Sequence, residues 1–119
     1  MVDDILLRKL ADKTHMDQWT RLINSVDASQ FQIYPSMVFV PEDVTDVINI
    51  CQYAYGKETP LTPRGGGTGL LGQALTKGIV VDISKHLNRI IETYENHVVV
   101  EPGVVKGVLD KELKKKGKF

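Results

Sequence analysis

The sequence is poor in the residues that staple small proteins together. Among 119 residues there is one cysteine, Cys51, so no internal disulfide can form. The three histidines, His15, His86 and His97, stand far apart, and none joins Cys51 or an aspartate at the spacing of a zinc site or a catalytic triad. Net charge is also missing, with 15 Lys and Arg against 15 Asp and Glu. A chain-wide basic surface for nucleic acid or anionic lipid is thereby excluded. No apolar run approaches the roughly twenty residues of a membrane span. The acidic start Met1-Val2-Asp3-Asp4 lacks the basic and apolar regions of a signal peptide. These absences predict a protein of a reducing, cytoplasmic compartment, without a metal site, a nucleic-acid partner or a membrane span.

With 42% apolar and 25% charged residues, the chain fits one domain with one core. That length is short for an enzyme with both a large cofactor and a substrate pocket. Ile5, Leu6, Leu7, Leu10 and Ala11 recur at helical spacing, as do Trp19, Leu22, Ile23 and Val26, predicting two short helices that meet around Thr14. Asn24 to Pro35 reads as an irregular connection. Met37 to Val40 reads as a buried strand stopped by Pro41. Pro41-Glu42-Asp43 then put acidic residues into the first turn of a helix ending at Gly56, whose apolar stripe is Val44, Val47, Ile48, Cys51, Ala54 and Tyr55, with Cys51 as a small buried hydrophobe. A very short extended segment at Leu61-Thr62 precedes a glycine-rich loop. Beyond it come a strand over Gly78 to Ile83, a hairpin of Ile90 to Tyr94 with His97 to Glu101, and a helix through Val104, Val108 and Leu113 stopped at Gly117. Six lysines from Lys106 to Lys118 give this last helix a basic, solvated face. Trp19 and Tyr34 read as core or rim residues.

Five of the ten glycines fall between Gly65 and Gly72. Glycine is entropically destabilising, and turns seldom need more than one or two, so a mere connection is a weak explanation for five. A loop without side chains lets several backbone N–H groups converge on an anion, usually phosphate. Gly67-Thr68-Gly69-Leu70-Leu71-Gly72 formally matches the dinucleotide fingerprint G-x-G-x-x-G, but it does not follow a long strand or open a helix, and the Rossmann reading fails on context. No Gly-Lys-Ser/Thr follows, so a Walker loop fails too.

Pro63-Arg64-Gly65-Gly66-Gly67-Thr68-Gly69-Leu70-Leu71-Gly72-Gln73 resembles the pyrophosphate loop of the FAD-binding domain of vanillyl-alcohol oxidase-type flavoproteins, the PCMH-type domain. Val40-Pro41, the strand Gly78 to Ile83 and Val100-Glu101-Pro102-Gly103-Val104 stand at the matching places. Arg21…Ser25-Val26-Asp27-Ala28-Ser29 and His86-Leu87-Asn88-Arg89-Ile90-Ile91 resemble one branch of that family. The branch holds the flavin subunit of glycolate oxidase and flavin/iron–sulfur dehydrogenases of D-2-hydroxy acids such as D-lactate.

The resemblance implies an α+β fold, the first subdomain of the PCMH-type domain, with a small mixed sheet flanked by helices. Residues 1–30 would be an N-terminal helical segment, and residues 31–119 the first part of the domain, cut short at its C-terminal end. It implies that Gly65, Gly66, Gly67, Thr68 and Gly69 hold the FAD pyrophosphate, that Gly72 and Gln73 continue the wall beside the flavin, and that Pro102, Gly103 and Val104 lie near the adenosine half. Arg64 either pairs with phosphate or braces the loop. Where some members carry a flavin-linking histidine, this chain has Thr68, which implies non-covalent FAD. The expected function is the FAD-holding portion of an oxidoreductase acting on glycolate, D-lactate or a similar acid, catalytically silent alone. Its expected partners are the rest of the flavoenzyme and an iron–sulfur domain or subunit, with a peripheral inner-membrane location as part of such an enzyme. The alternatives are a non-catalytic phosphate-binding module and a self-associating one whose uncovered faces meet.

Overall fold

The computed structural model describes residues 2–118. In chain order it has α1 (Val2–Leu10), a 3-10 turn (Ala11–Lys13), β1 (Thr14–His15), α2 (Gln18–Ile23), β2 (Met37–Phe39), α3 (Val44–Gly56), β3 (Leu61–Arg64), β4 (Ile79–Asp82), β5 (Ile90–Thr93), β6 (Val98–Val100) and α4 (Lys106–Lys115). Four strands form a mixed sheet in the order β1-β2-β4-β3, and β5 and β6 form a separate hairpin. This is the α+β arrangement expected from the sequence.

The sheet is built on β4. Its β-branched Ile79-Val80-Val81 run is buried on both faces, as a central parallel strand requires, and β2 and β3 flank it in parallel register. On one face Met37, Phe39, Ile79 and Val81 form a core with Ile50 and Ala54 of α3 and Leu10 of α1. β2, α3 and β3 form a βαβ crossover with β4 inserted between its two strands. All three parallel strands therefore point their carboxyl ends the same way.

Several elements differ from the sequence expectation. Thr14–His15, placed between two helices, is a short strand paired antiparallel to Phe39 and Val38. α2 ends at Ile23, where the irregular connection was expected to begin, so Val26 of the apolar pattern lies outside the helix; the Ser25 amide and hydroxyl both turn back to the Leu22 carbonyl. β3 runs through Pro63 and Arg64, beyond the expected Leu61-Thr62. It lies at the sheet edge, where a proline without an N–H loses no ladder bond. α4 starts at Lys106, two residues later than expected.

α3 ends at the expected Gly56 but starts at Val44, with Pro41-Glu42-Asp43 before it rather than in its first turn, and its buried face is rotated. Asp46, Ile50 and Ala54 are buried, whereas Val44, Ile48, Cys51 and Tyr55 are exposed, Tyr55 to 88%. Asp46 accounts for the rotation. Its Oδ2 accepts from Lys13 Nζ at 2.8 Å and from the Glu42 amide at 2.9 Å, and its own amide donates to the cap residue Asp43. A carboxylate so satisfied is tolerated inside and turns the apolar stripe outward. Cys51 is thus a surface thiol. Trp19 is exposed to 71% and Tyr34 is also exposed, so neither joins the core.

Candidate functional site

The glycine loop leaves β3 at the carboxyl end of the parallel strands, where open α/β sheets bind ligands. Its first residues form one wall of a groove of about 410 Å³. Val38, Arg64, Gly65, Gly66, Asp82 and Lys85 line that groove. A larger hollow of about 720 Å³ lies beside Tyr55, Pro60 and Leu61, at the other end of β3 and away from the loop.

Within the loop, none of the N–H groups from Gly65 to Leu70 donates to a protein group among the described residues. Gly67 adopts a left-handed backbone, φ 67°, and a Cβ there would stand 2.4 Å from Arg64 Nη2. The Arg64 guanidinium thus lies beneath the loop, with Nη1 buried and without a hydrogen-bond partner. Gly65 has no such internal constraint: a Cβ would meet nothing within 4 Å, and its φ lies outside the left-handed range. The Gln73 side chain folds back over Gly69 and accepts from the Leu71 amide at 3.1 Å. Thr68 is exposed at the loop tip.

Asp27, to which the sequence reading assigned no role, stands against the same loop. The Ala28 amide donates to the Gly67 carbonyl at 3.0 Å, and Asp27 Oδ1 accepts from the Ser29 amide at 2.8 Å. The Ser29 hydrogen bond, and after it the Arg64 charge, hold this carboxyl below the ordinary aspartate value against the opposing effect of burial. Asp-x-Ser, a sequence that favours an Asx turn, was the available signal.

Pro102-Gly103-Val104 reaches the same region by a different route. The Ile83 amide donates to the Arg64 carbonyl at 3.0 Å, and the Gly103 amide donates to the Leu87 carbonyl at 2.7 Å. Residues 83–87 therefore tie the root of the glycine loop to Gly103. A Cβ at Gly103 would lie 2.4 Å from the Ile83 carbonyl oxygen and 2.6 Å from that of Leu87, so the protein's own backbone requires glycine there. Just before it, buried Glu101 accepts from Arg89 Nη2 at 2.7 Å and from the Arg89 amide at 2.8 Å. Those bonds to Arg89, with its charge, hold the Glu101 carboxyl below its ordinary value. Among the described residues, no three His, Cys, Asp or Glu side chains group as a metal site would require.

The family described as FAD binding domain matches residues 35–119, the span that contains both segments. The chain belongs to this family. The FAD-binding domain is 46% identical over 104 residues to D-2-hydroxyglutarate dehydrogenase of Escherichia coli K12, an alignment covering 83% of this chain and 10% of that protein. It is 34% identical over 103 residues to glycolate oxidase subunit GlcD of Bacillus subtilis, covering 83% of this chain and 22% of that one. The chain thus spans about a tenth to a fifth of the length of these two relatives. Among solved structures, alkyldihydroxyacetonephosphate synthase superposes with a TM-score of 0.79 at 18% identity, covering 96% of this chain and 25% of that one. p-Cresol methylhydroxylase with substrate bound superposes with a TM-score of 0.79 at 17% identity, covering 97% of this chain and 24% of that one. These neighbours show the fold, that of a PCMH-type FAD-binding domain, and FAD is the family's cofactor.

The residues present suit that cofactor. Free amide donors, an open face at Gly65 and a guanidinium beneath the loop make an electropositive lining of the kind a pyrophosphate requires.

Proposed function

We propose that this FAD-binding domain is the pyrophosphate-holding part of an FAD-linked oxidoreductase that oxidises a D-2-hydroxy acid such as D-2-hydroxyglutarate, glycolate or D-lactate. The observation that carries the proposal is the run of unused N–H groups from Gly65 to Leu70 at the carboxyl end of β3. In this reading Gly65, Gly66, Gly67, Thr68 and Gly69 hold the pyrophosphate through their amides, and the Thr68 hydroxyl adds a donor. Gly72 and Gln73 continue the wall toward the flavin. Pro102, Gly103 and Val104, fixed by Leu87 and by the Arg89–Glu101 pair, border the adenosine half. Bound FAD supplies a two-electron hydride acceptor. The chain supplies grip, orientation and positive potential, and with Thr68 in the loop the flavin is held without a covalent bond.

The substrate class rests on the relatives named above. The rest of a flavoenzyme is the proposed partner, for Leu70 and Leu71 beside the loop are 72% and 77% exposed, an apolar surface suited to burial against another domain. The single cysteine keeps a cytoplasmic setting within the proposal.

A chimera tests the whole reading. The matching 104 residues of the Escherichia coli D-2-hydroxyglutarate dehydrogenase are replaced by those of this chain. Retained flavin absorbance with D-2-hydroxyglutarate-dependent dye reduction is expected. A chimera with native circular dichroism but no bound flavin would refute the cofactor site. A flavin-loaded chimera inactive on D-2-hydroxyglutarate, glycolate and D-lactate alike would refute the substrate class.

A further inference from the structure

The glycine loop carries two charged atoms that the fold leaves without partners. Arg64 Nη1 and Asp27 Oδ2 are both buried, and neither makes a hydrogen bond. Both residues are half-buried and Asp27 Oδ1 is bonded to the Ser29 amide, but a buried, unbonded atom of a charged group is still disfavoured, so its retention points to a second state that satisfies it. The two atoms have opposite charge and bracket the same residues. Arg64 packs beneath Gly67, and Asp27 Oδ2 lies 3.9 Å from the point a Cβ would occupy at Gly69.

Their attachments to the fold differ. Arg64 ends β3, paired with Asp82, and its carbonyl accepts from Ile83, so it is fixed to the sheet. Asp27 belongs to the segment whose Ala28 amide is bonded to the Gly67 carbonyl, so it travels with the far half of the loop. Between the two attachments lie Gly65 and Gly66. A Cβ at Gly65 meets nothing, and one at Gly66 meets only Thr68 Cγ2, at an ordinary 3.5 Å. Packing within the chain gives neither position a reason to be glycine, whereas a hinge does.

We propose that Asp27 and Arg64 are a positioning pair: closure of the loop on a diphosphate brings Asp27 Oδ2 onto Arg64 Nη1, and that ion pair holds the Gly65–Gly69 amides against the anion. The proposal rests on the loop being the pyrophosphate cradle and assigns Asp27 a part in it. It also gives Arg64 a role at the anion that runs through the loop backbone. Neither side chain needs to touch the phosphates.

ADP, which carries the pyrophosphate half of FAD without the flavin, is the probe. Its affinity is measured by calorimetry for the wild type, Asp27→Asn, Arg64→Gln and the double variant, with the melting temperature of each ligand-free protein alongside. Each single variant is expected to bind ADP at least tenfold more weakly. The double variant should bind no more weakly than the worse single, because both remove the same contact. Ligand-free melting temperatures should fall only slightly, because the Arg64 charge already acts on Asp27 at a distance but the hydrogen-bonded pair is not made without the anion, whereas a brace formed in the ligand-free fold would lower them by several degrees. Arg64→Lys, keeping the charge, should recover part of the affinity. Losses that multiply in the double variant, singles that bind like wild type, or ligand-free melting temperatures that fall by several degrees would each overturn the pair. A wild-type chain that binds neither ADP nor FAD would instead overturn the cradle itself, and the pair with it.

Discussion

Two glycines with opposite surroundings separate ligand grip from fold stability. At Gly103 an added methyl would stand 2.4 and 2.6 Å from two backbone carbonyl oxygens, one of which accepts the Gly103 amide at 2.7 Å. Neither carbonyl can swing aside as a side chain would, so relief means parting Gly103 from residues 83–87. Overpacking of this kind costs about 1–3 kcal/mol, and the weakened hydrogen bond adds about 1 kcal/mol. The expected loss for Gly103→Ala is about 2–4 kcal/mol, which at about 4 °C per kcal/mol lowers the melting temperature by about 8–16 °C. At Gly65 the methyl would meet nothing within 4 Å, and the backbone is not left-handed. Gly65→Ala should therefore gain about 0.4–1 kcal/mol through a less disordered unfolded chain, raising the melting temperature by about 2–4 °C. The same methyl narrows the cradle and stiffens its root, and FAD affinity should fall at least tenfold, about 1.4 kcal/mol. Thermal denaturation by circular dichroism and titration of FAD fluorescence quenching read the two effects separately. A Gly65→Ala chain that binds FAD like wild type would refute the cradle, and a Gly103→Ala chain that melts like wild type would refute the packing.

Phe39, with no exposed surface, fills the centre of the core, and Phe39→Ala should cost about 3–5 kcal/mol, measured by urea denaturation. Glu101 is held below its ordinary pKa of 4.5 by Arg89, so the stability it contributes is complete above that value and is lost as pH falls through the lower folded-state pKa. Melting temperature should drop on acidification through this range, and by less in Glu101→Gln; equal slopes in the two proteins would refute the assignment. Cys51 is exposed on α3, so a thiol-specific reagent should label it to completion in the native protein at the rate of a free thiol, and labelling that waits for denaturant would place it inside after all.

The strands were the most legible part of the fold, and β4 above all. Its apolar run states its burial in local terms, because a central parallel strand hides both faces. β1 is invisible for the opposite reason: Thr14 and His15 carry no periodic signal and become a strand only because β2 offers them an edge. In α3 the helix and its Gly56 end were legible but its start and its rotation were not. Counting apolar residues favoured the stripe Val44, Val47, Ile48, Cys51, Ala54 and Tyr55, of which Ala54 is buried and Val47 half-buried, whereas the buried face also holds Asp46, whose partner Lys13 lies 33 residues away. A carboxylate made acceptable by a distant amine leaves no trace in a hydrophobic pattern.

The candidate site was legible as a density of glycine, and the structure divides that density by cause. Gly67 answers to its left-handed backbone and to the guanidinium beneath it, Gly69 to the Gln73 side chain, whose Oε1 a Cβ would approach to 2.6 Å, and Gly72 to its left-handed backbone and to Phe31, whose ring a Cβ would approach to 3.3 Å. Outside the loop, Gly103 answers to two carbonyl oxygens, a constraint set entirely within the chain. Gly65 and Gly66 remain without an internal cause, and they stand where amides go unused and the groove opens. The sequence showed five glycines as one signal because composition does not distinguish a glycine needed by the fold from one needed by a ligand. That distinction depends on what surrounds each missing Cβ. For Gly65 and Gly66 no described part of the folded chain demands that the side chain be missing, and this supports the cradle and the hinge proposed for them.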